Sequence, residues 1–290
     1  MKKILITGAN SYIGTSFEKY MEQYADEYQV DTVDMVDGTW REKNFSEYDI
    51  VYHVAGIAHS DNGKINKEKE KLYYSVNTDL TIETARKAKV EGVKQFIFMS
   101  SAIVYGNSAP LGKEKIINQG TPTSPTNCYG DSKVQAENGI LPLSSDTFKV
   151  VILRPPMIYG KGSKGNYPIL AKFAKKLPLF PYVKNQRSML YIENLMEFVR
   201  LMIANEENGI FFPQNTEYSN TSEMVKMIGL AHGKKVCLVK GLTWFLKILS
   251  LFTGLINKAF GNLIYDKDMS NYKQEYRKVG LAESIEATEK

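Results

Sequence analysis

"KKILITGANSYIG", residues 2–14, decides how the rest of the chain is read. Its apolar run is short and nearly unbroken, the pattern of a strand buried on both faces. The run passes directly into Gly8. A second glycine, Gly14, follows six residues later, where a helical pattern begins around Ile13. Glycines at these points permit a tight turn and let the backbone approach a pyrophosphate, which the free N–H groups of a helix N-terminus bind. Two glycines alone would also fit an ordinary strand-to-helix turn. Asp34 changes the balance: it lies twenty residues after Gly14, at the end of the second apolar run. A carboxylate there accepts hydrogen bonds from a ribose diol and repels a 2′-phosphate.

Outward from that unit the same rhythm repeats. Strands are expected at 2–7, 28–35, 49–56, 95–101 and 148–155, with helices at 13–24, 76–90 and 130–140 between them. Alternation of this kind builds an α/β fold, a Rossmann-type doubly wound parallel sheet. After Pro156 the rhythm breaks. A glycine-rich loop, "YGKGSKGNYP", precedes a short helix at 168–177. Ile192, Leu195, Met196, Val199 and Ile203 then mark one stripe of a helix over 192–204. "GIFFPQ" (209–214) reads as a late strand returning to the main sheet, and the chain from 216 is mainly helical. The expected domains are therefore 1–155, rejoined by 188–215, and a smaller, mainly helical substrate lobe of 156–187 and 216–290.

With 43% hydrophobic and 24% charged residues, the 290-residue chain has ordinary globular composition, room for one large domain and a smaller one. Its net charge of +5 is not gathered in a basic run, and the densest charge cluster, 64–74, mixes both signs. Nucleic-acid binding is not implied. Cys128 and Cys237 have no CxxC spacing, and His53, His59 and His232 offer no metal-ligand pattern, so no metal is expected. The apolar run at the N-terminus is too short for a secretion signal, which points to the cytoplasm. Residues 241–265 are apolar, but Lys247 interrupts them, and the ten uncharged residues that follow fall short of the ~20 that span a bilayer. A buried helix is the first reading of that segment, and peripheral membrane contact the second.

"CYGDSK" (128–133) places Tyr129 and Lys133 one helical turn apart. A cation there would favour the phenolate and lower the tyrosine pKa from about 10. Taken alone, the pair is more simply a surface tyrosine and a solvated lysine.

Six motifs in order alter that judgement: "TGANSYIG", "VYHVAGIAH", "SVNTDLT", "FMSSAIVYG", "CYGDSK" and "ILRPPMIYG". Together they resemble the extended short-chain dehydrogenases/reductases, in the nucleotide-sugar epimerase/dehydratase branch, and are most similar to UDP-hexose 4-epimerases. The likeness covers roughly 2–215 and thins beyond. It implies Tyr129 as catalytic acid/base, Lys133 as its partner and ligand of the nicotinamide ribose, and Ser101 on the substrate hydroxyl. NAD would be held by Gly8, Asn10, Ser11, Tyr12, Ile13, Gly14, Asp34, Val54, Ala55, Gly56, Asn77 and Pro156, besides Tyr129 and Lys133. A UDP-sugar would meet Ser101, Ala102, Asn166, Phe180 and Arg187, the arginine gripping the diphosphate. A homodimer is implied as well.

Two departures stand out. Ser11 replaces the usual middle glycine, and the stretch between Asp34 and Asp49 is too short for the extra strand that many relatives carry. The implied reaction is inversion at C4 through a transient 4-keto sugar. A 4,6-dehydratase is disfavoured, because Ala102 and Ile103 occupy the positions of its Asp-Glu pair. A reductase of a 4-keto nucleotide sugar uses the same Ser-Tyr-Lys set, with Asp34 leaning toward NAD over NADPH. A non-catalytic dinucleotide sensor is the remaining alternative.

Overall fold

The computed structural model describes residues 1–57, 66–250, 252 and 254–290, with only the backbone of Leu255; His59 and the start of the 64–74 cluster lie outside them. The chain forms two compact units. The first holds residues 1–106, 122–155 and 196–212, and the second 107–121, 156–195 and 213–290. These boundaries differ from the expected ones. Residues 107–121 leave the nucleotide-binding part, and the returning segment is 196–212 in place of 188–215.

In the first unit, β1 (Lys2–Thr7), β2 (Tyr28–Val33), β3 (Ile50–His53) and β4 (Gln95–Met99) join the strands Lys149–Leu153 and Gly209–Phe211 in one sheet. Every pairing is parallel, and the order from one edge is Gly209–Phe211, Lys149–Leu153, β4, β3, β1, β2. The unbroken apolar runs have the predicted meaning, since every residue of β3 and β4 is buried. Leu5, Val51, Phe96, Phe98, Val150 and Ile152 form the core with Ala85, Ala88, Ala136 and Ile140 from the covering helices. Each large apolar side chain fully buried in this way contributes about 1.5–3 kcal/mol. Between β2 and β3 the chain makes only a 3-10 turn, Thr39–Arg41, which buries Trp40. Among the described residues no strand lies beyond β2, in line with the short segment, and β2 is the sheet edge.

The helices around this sheet are α1 (Tyr12–Met21), α2 (Lys67–Tyr74), α3 (Leu80–Val90) and α4 (Cys128–Ile140). A π-helical turn, Ser75–Asp79, joins α2 to α3. Because β1 lies between β2 and β3, the chain leaves it in opposite directions, opening a crevice at the C-terminal ends of β1 and β3.

The second unit carries three small parallel pairs: Met157–Tyr159 with Met189–Tyr191, Leu179–Pro181 with Cys237–Val239, and Ile116–Ile117 with Ile264–Tyr265. Its helices include Tyr167–Lys176, Thr221–Ala231 and Leu281–Glu289. The expected buried helix over 241–265 is not found. Two short helices, Thr243–Ser250 and Gly254–Phe260, occupy the segment, and they bury Leu246 and Phe260 while Trp244 is 65% exposed. Too few apolar neighbours cover a segment that is apolar nearly all round. Among the described residues no helix is long and apolar enough to cross a membrane.

Candidate active site

The loop that leaves β1 shows why its glycines are needed. Gly8 has φ +99°, and a Cβ there would sit 2.8 Å from the Ala55 nitrogen and 2.9 Å from its Cα. Only glycine lets the ends of β1 and β3 approach this closely. The Gly8 and Ala9 N–H groups both donate to the Val33 carbonyl, which ties the loop to the end of β2. Asn10 adopts positive φ, 63°. Ser11 caps α1, its hydroxyl accepting from the Gly14 N–H at 3.0 Å, while its own N–H donates to Gly8 O. Two donors expected for a pyrophosphate are thus used within the loop. Among the described residues, the N–H groups of Asn10, Tyr12 and Ile13 keep no protein acceptor. They stand at the positive end of a helix dipole. The loop fits a dinucleotide diphosphate.

Asp34 follows directly after β2 and is exposed. Its Oδ1 accepts from the Val36 N–H at 2.8 Å, which fixes the carboxylate at the sheet edge and leaves Oδ2 for a ribose diol. A 2′-phosphate would face this charge, and like charges a few ångströms apart cost about 1 kcal/mol or more even in water. We therefore expect NAD to bind at least about fivefold more tightly than NADP, and Asp34→Ala to narrow the gap. Titration calorimetry decides it, and equal affinities for the two dinucleotides in the parent protein would overturn the role.

Beyond β3, Val54, Ala55 and Gly56 line the crevice. The Val54 N–H donates to Thr7 O, and Gly56 is exposed, with room for a Cβ only at 3.1 Å from Asn77 Oδ1 and 3.3 Å from Lys133 Nζ. The structure thus brings Gly56, Asn77 and Lys133 to one point. Asn77 sits in the π-helical turn and clamps Ile57, accepting from its N–H at 2.8 Å and donating to its carbonyl at 3.1 Å. Its Nδ2 also donates to Ser132 Oγ on α4. Single-turn π-helical irregularities often mark functional sites.

Asn127 caps α4 by accepting from the Gly130 N–H, which starts the helix one residue before Tyr129. Tyr129 is half-buried, and its ring lies 6.0 Å from that of Tyr73. The expected lowering of its pKa is not observed. Burial pushes the phenol up, Ser101 pulls it back through a hydrogen bond, and Tyr73 raises it further. The reason is where Lys133 points. Its buried Nζ donates to the Met99 carbonyl at 3.0 Å and lies 4.6 Å above the Phe98 ring. Burial lowers the Lys133 pKa to about 8, with Glu137 opposing. Ser101 is half-buried after β4, and the adjacent Ala102 N–H donates to Pro155 O.

Two supporting side-chain networks escaped the sequence reading. His53 is fully buried between Thr7 Oγ1 (2.7 Å) and Thr81 Oγ1 (3.0 Å), and Thr81 donates to the Asn77 carbonyl. Thr81 therefore accepts from Nε2–H, and Thr7 donates to Nδ1. Burial first, and Lys133 second, hold the His53 pKa down at about 3, so the ring is neutral. Ser100 and Arg154 both bond the buried Glu137 carboxylate, and Arg154 donates to Tyr105 Oη at 2.7 Å. Glu137, four residues after Lys133, carried a positional signal; Ser100 and Arg154 carried none.

The remaining expected residues belong to the second unit. Pro156 is buried. Asn166 is exposed immediately before the helix Tyr167–Lys176 and makes no capping bond. Phe180 packs against Phe260, 5.8 Å between centroids, and shows little of its ring. Arg187 Nη1 donates to the carbonyls of Lys258 and Ala259, the end of the helix Gly254–Phe260. Burial lowers its pKa, and among the described residues no carboxylate pairs with it. Nor do any described residues form a cluster able to hold a metal ion.

The first unit thus joins a doubly wound parallel sheet to a glycine turn, an exposed carboxylate at the end of β2 and the Ser101, Tyr129 and Lys133 positions, the fold of the extended short-chain dehydrogenases/reductases. Residues 4–212 match the NAD dependent epimerase/dehydratase family, and the chain belongs to that family, with NAD as cofactor. UDP-glucose 4-epimerase from Vibrio cholerae is 30% identical over 281 residues, 90% of this chain and 83% of that protein. Two solved structures share the fold. dTDP-4-dehydrorhamnose reductase from Bacillus anthracis, in complex with NADP, has a TM-score of 0.74 at 20% identity and covers 99% of this chain and 98% of its own. UDP-glucuronic acid 4-epimerase from Bacillus cereus, in complex with NAD, has 0.72 at 17% identity, covering 98% and 96%.

Proposed function

We propose that the protein is a UDP-sugar 4-epimerase of the glucose or N-acetylhexosamine type. The observation that carries this reading is Tyr129, whose pKa Ser101 draws down against burial, one helical turn from Lys133 and at the end of the crevice proposed for the dinucleotide. Ala102 and Ile103 beside Ser101 offer no acid or base for eliminating water. Bound NAD supplies a hydride acceptor and returns the hydride, without net redox change. Tyr129 takes the proton from the sugar 4-hydroxyl and gives it back after the ring turns over. Ser101 holds that oxygen, and Lys133 positions the cofactor ribose. Asn77 keeps the loop at Gly56 and Ile57 in place.

Arg187 is the proposed grip on the diphosphate, with the Asn166 amide as a second donor. A desolvated guanidinium that, among the described residues, meets carbonyls but no carboxylate suits phosphate oxygens. Arg187→Ala should raise the KM for UDP-sugar at least about tenfold, since a hydrogen bond to a charged group is worth about 1.5–3 kcal/mol. NAD affinity should not change. A fall in NAD affinity with an unaltered KM would assign the arginine elsewhere.

The reading is tested with UDP-glucose, UDP-N-acetylglucosamine and a 4-keto nucleotide sugar supplied with NADH or NADPH. Inversion at C4 of one of the first two supports it. Stoichiometric consumption of reduced cofactor by the keto sugar, without inversion of the others, makes the protein a reductase instead.

A further inference from the structure

The second unit leaves an apolar face uncovered, and its surroundings are basic. On the helix Thr243–Ser250, Leu246 turns inward, while Trp244, Phe245 and Ile248 are 65%, 46% and 47% exposed. Positions 244, 245 and 248 share one helical face, and Phe252, 82% exposed, follows two residues beyond the helix. Large apolar side chains grouped in this way mark an interaction surface more often than a bare solvent face.

What surrounds them indicates the partner. Residues 224–265 contain no Asp or Glu, but they contain Lys226, Lys234, Lys235, Lys240, Lys247 and Lys258. Lys176, Lys234 and Lys235 line one surface groove, and Lys226, Lys235 and Lys240 line a second, where Glu223 is the single carboxylate. The strand Cys237–Val239 leads from these grooves to the apolar helix within a few residues. Lys247 lies exposed on the helix itself. An amphipathic helix with Trp and Phe on its apolar face, flanked by lysines and free of carboxylates, is built to lie in the interface of an anionic bilayer. A protein partner would not require a 42-residue stretch cleared of acids.

We propose that the helix Thr243–Ser250 and Phe252 dock the protein peripherally on an anionic lipid surface, with the lysines of 226–240 facing the headgroups. The inference rests on this surface and not on the reaction assigned above.

Trp244 provides the readout, because the other tryptophan, Trp40, is 1% exposed. The full-length protein is mixed with vesicles of phosphatidylglycerol and phosphatidylethanolamine, and in parallel with vesicles of phosphatidylcholine alone. Expected are cosedimentation and a blue shift of tryptophan emission with the anionic vesicles, at least tenfold stronger than with the neutral ones and weakened by salt. Phe252→Ser with Ile248→Ser should cut binding about tenfold, and so should Lys234→Gln with Lys235→Gln. These side chains are on the surface, and circular dichroism verifies that the variants fold. Absence of binding to the anionic vesicles, or equal binding by the variants, overturns the proposal. So does concentration-dependent self-association that the apolar variants abolish without any vesicle binding, which would make the face an interface between copies of this chain.

Discussion

Tyr129→Phe should lower turnover at least about 100-fold on the true substrate while leaving the melting temperature nearly unchanged. The rate figure is the lower end of the 10²–10⁴ that general acid–base catalysis contributes. The stability figure follows from packing. Phenylalanine keeps the ring that faces Tyr73 and the residue's place in the first turn of α4. Only the phenol oxygen is lost, and with it the pull of Ser101 on its pKa. Cofactor affinity should fall little, because the loop after β1 and Asp34 are untouched. Ser101→Ala should slow the reaction less, since water can replace part of one hydrogen bond. Near-normal turnover in Tyr129→Phe would remove the residue from the chemistry.

Lys133→Met should move activity and stability in opposite directions. Turnover falls at least tenfold with the loss of the cation, and NAD affinity falls with it. Stability at pH 7 should rise, because Lys133 is a buried cation to which, among the described residues, no carboxylate is bonded. Its pKa falls from the ordinary 10.5 to about 8, and at 1.36 kcal/mol per unit that is a burial cost of about 3 kcal/mol. The cation–π contact with Phe98 offsets about 0.5–2 kcal/mol of it. The sign with pH follows from linkage. Below pH 8 the lysine is charged in both folded and unfolded chains, and the cost is fully present. Between pH 8 and 10.5 the folded chain has released the proton and the unfolded chain has not, so the parent gains stability relative to Lys133→Met. Denaturant unfolding of both proteins at pH 7, 9 and 10 measures this. A gap that stays constant or widens with pH would contradict the burial of a charged lysine.

The first half of the fold was legible because its signals are local. An unbroken apolar run cannot be half-exposed, so 49–56 and 95–101 read as interior strands, and the brevity of the stretch between Asp34 and Asp49 left little room for an extra strand. The second unit was harder to read. Its strands are two or three residues long and pair across tens of positions, Ile116 with Ile264 for example, so no periodicity marks them. The segment 241–265 misled because apolar composition was taken for burial, whereas burial requires a covering partner that this unit does not provide. At the site, the family resemblance of the ordered motifs named Tyr129 and Lys133 but could not orient the lysine, whose bond to Met99 O depends on where β4 ends. The chain from Thr7 through His53 and Thr81 to the Asn77 carbonyl joins β1, β3, α3 and the π-helical turn through residues far apart in sequence. Only the folded structure shows it.

The central claim is that Tyr129 serves a transient oxidation at C4 whose hydride returns to the same sugar. The most direct measurement supplies UDP-glucose or UDP-N-acetylglucosamine deuterated at C4, in ordinary water, with NAD and no reduced cofactor. The account predicts the C4-inverted product with deuterium still on C4 and no accumulation of NADH. Inversion with the label lost to solvent, or no inversion while a 4-keto sugar is reduced at the expense of NADH, would contradict it.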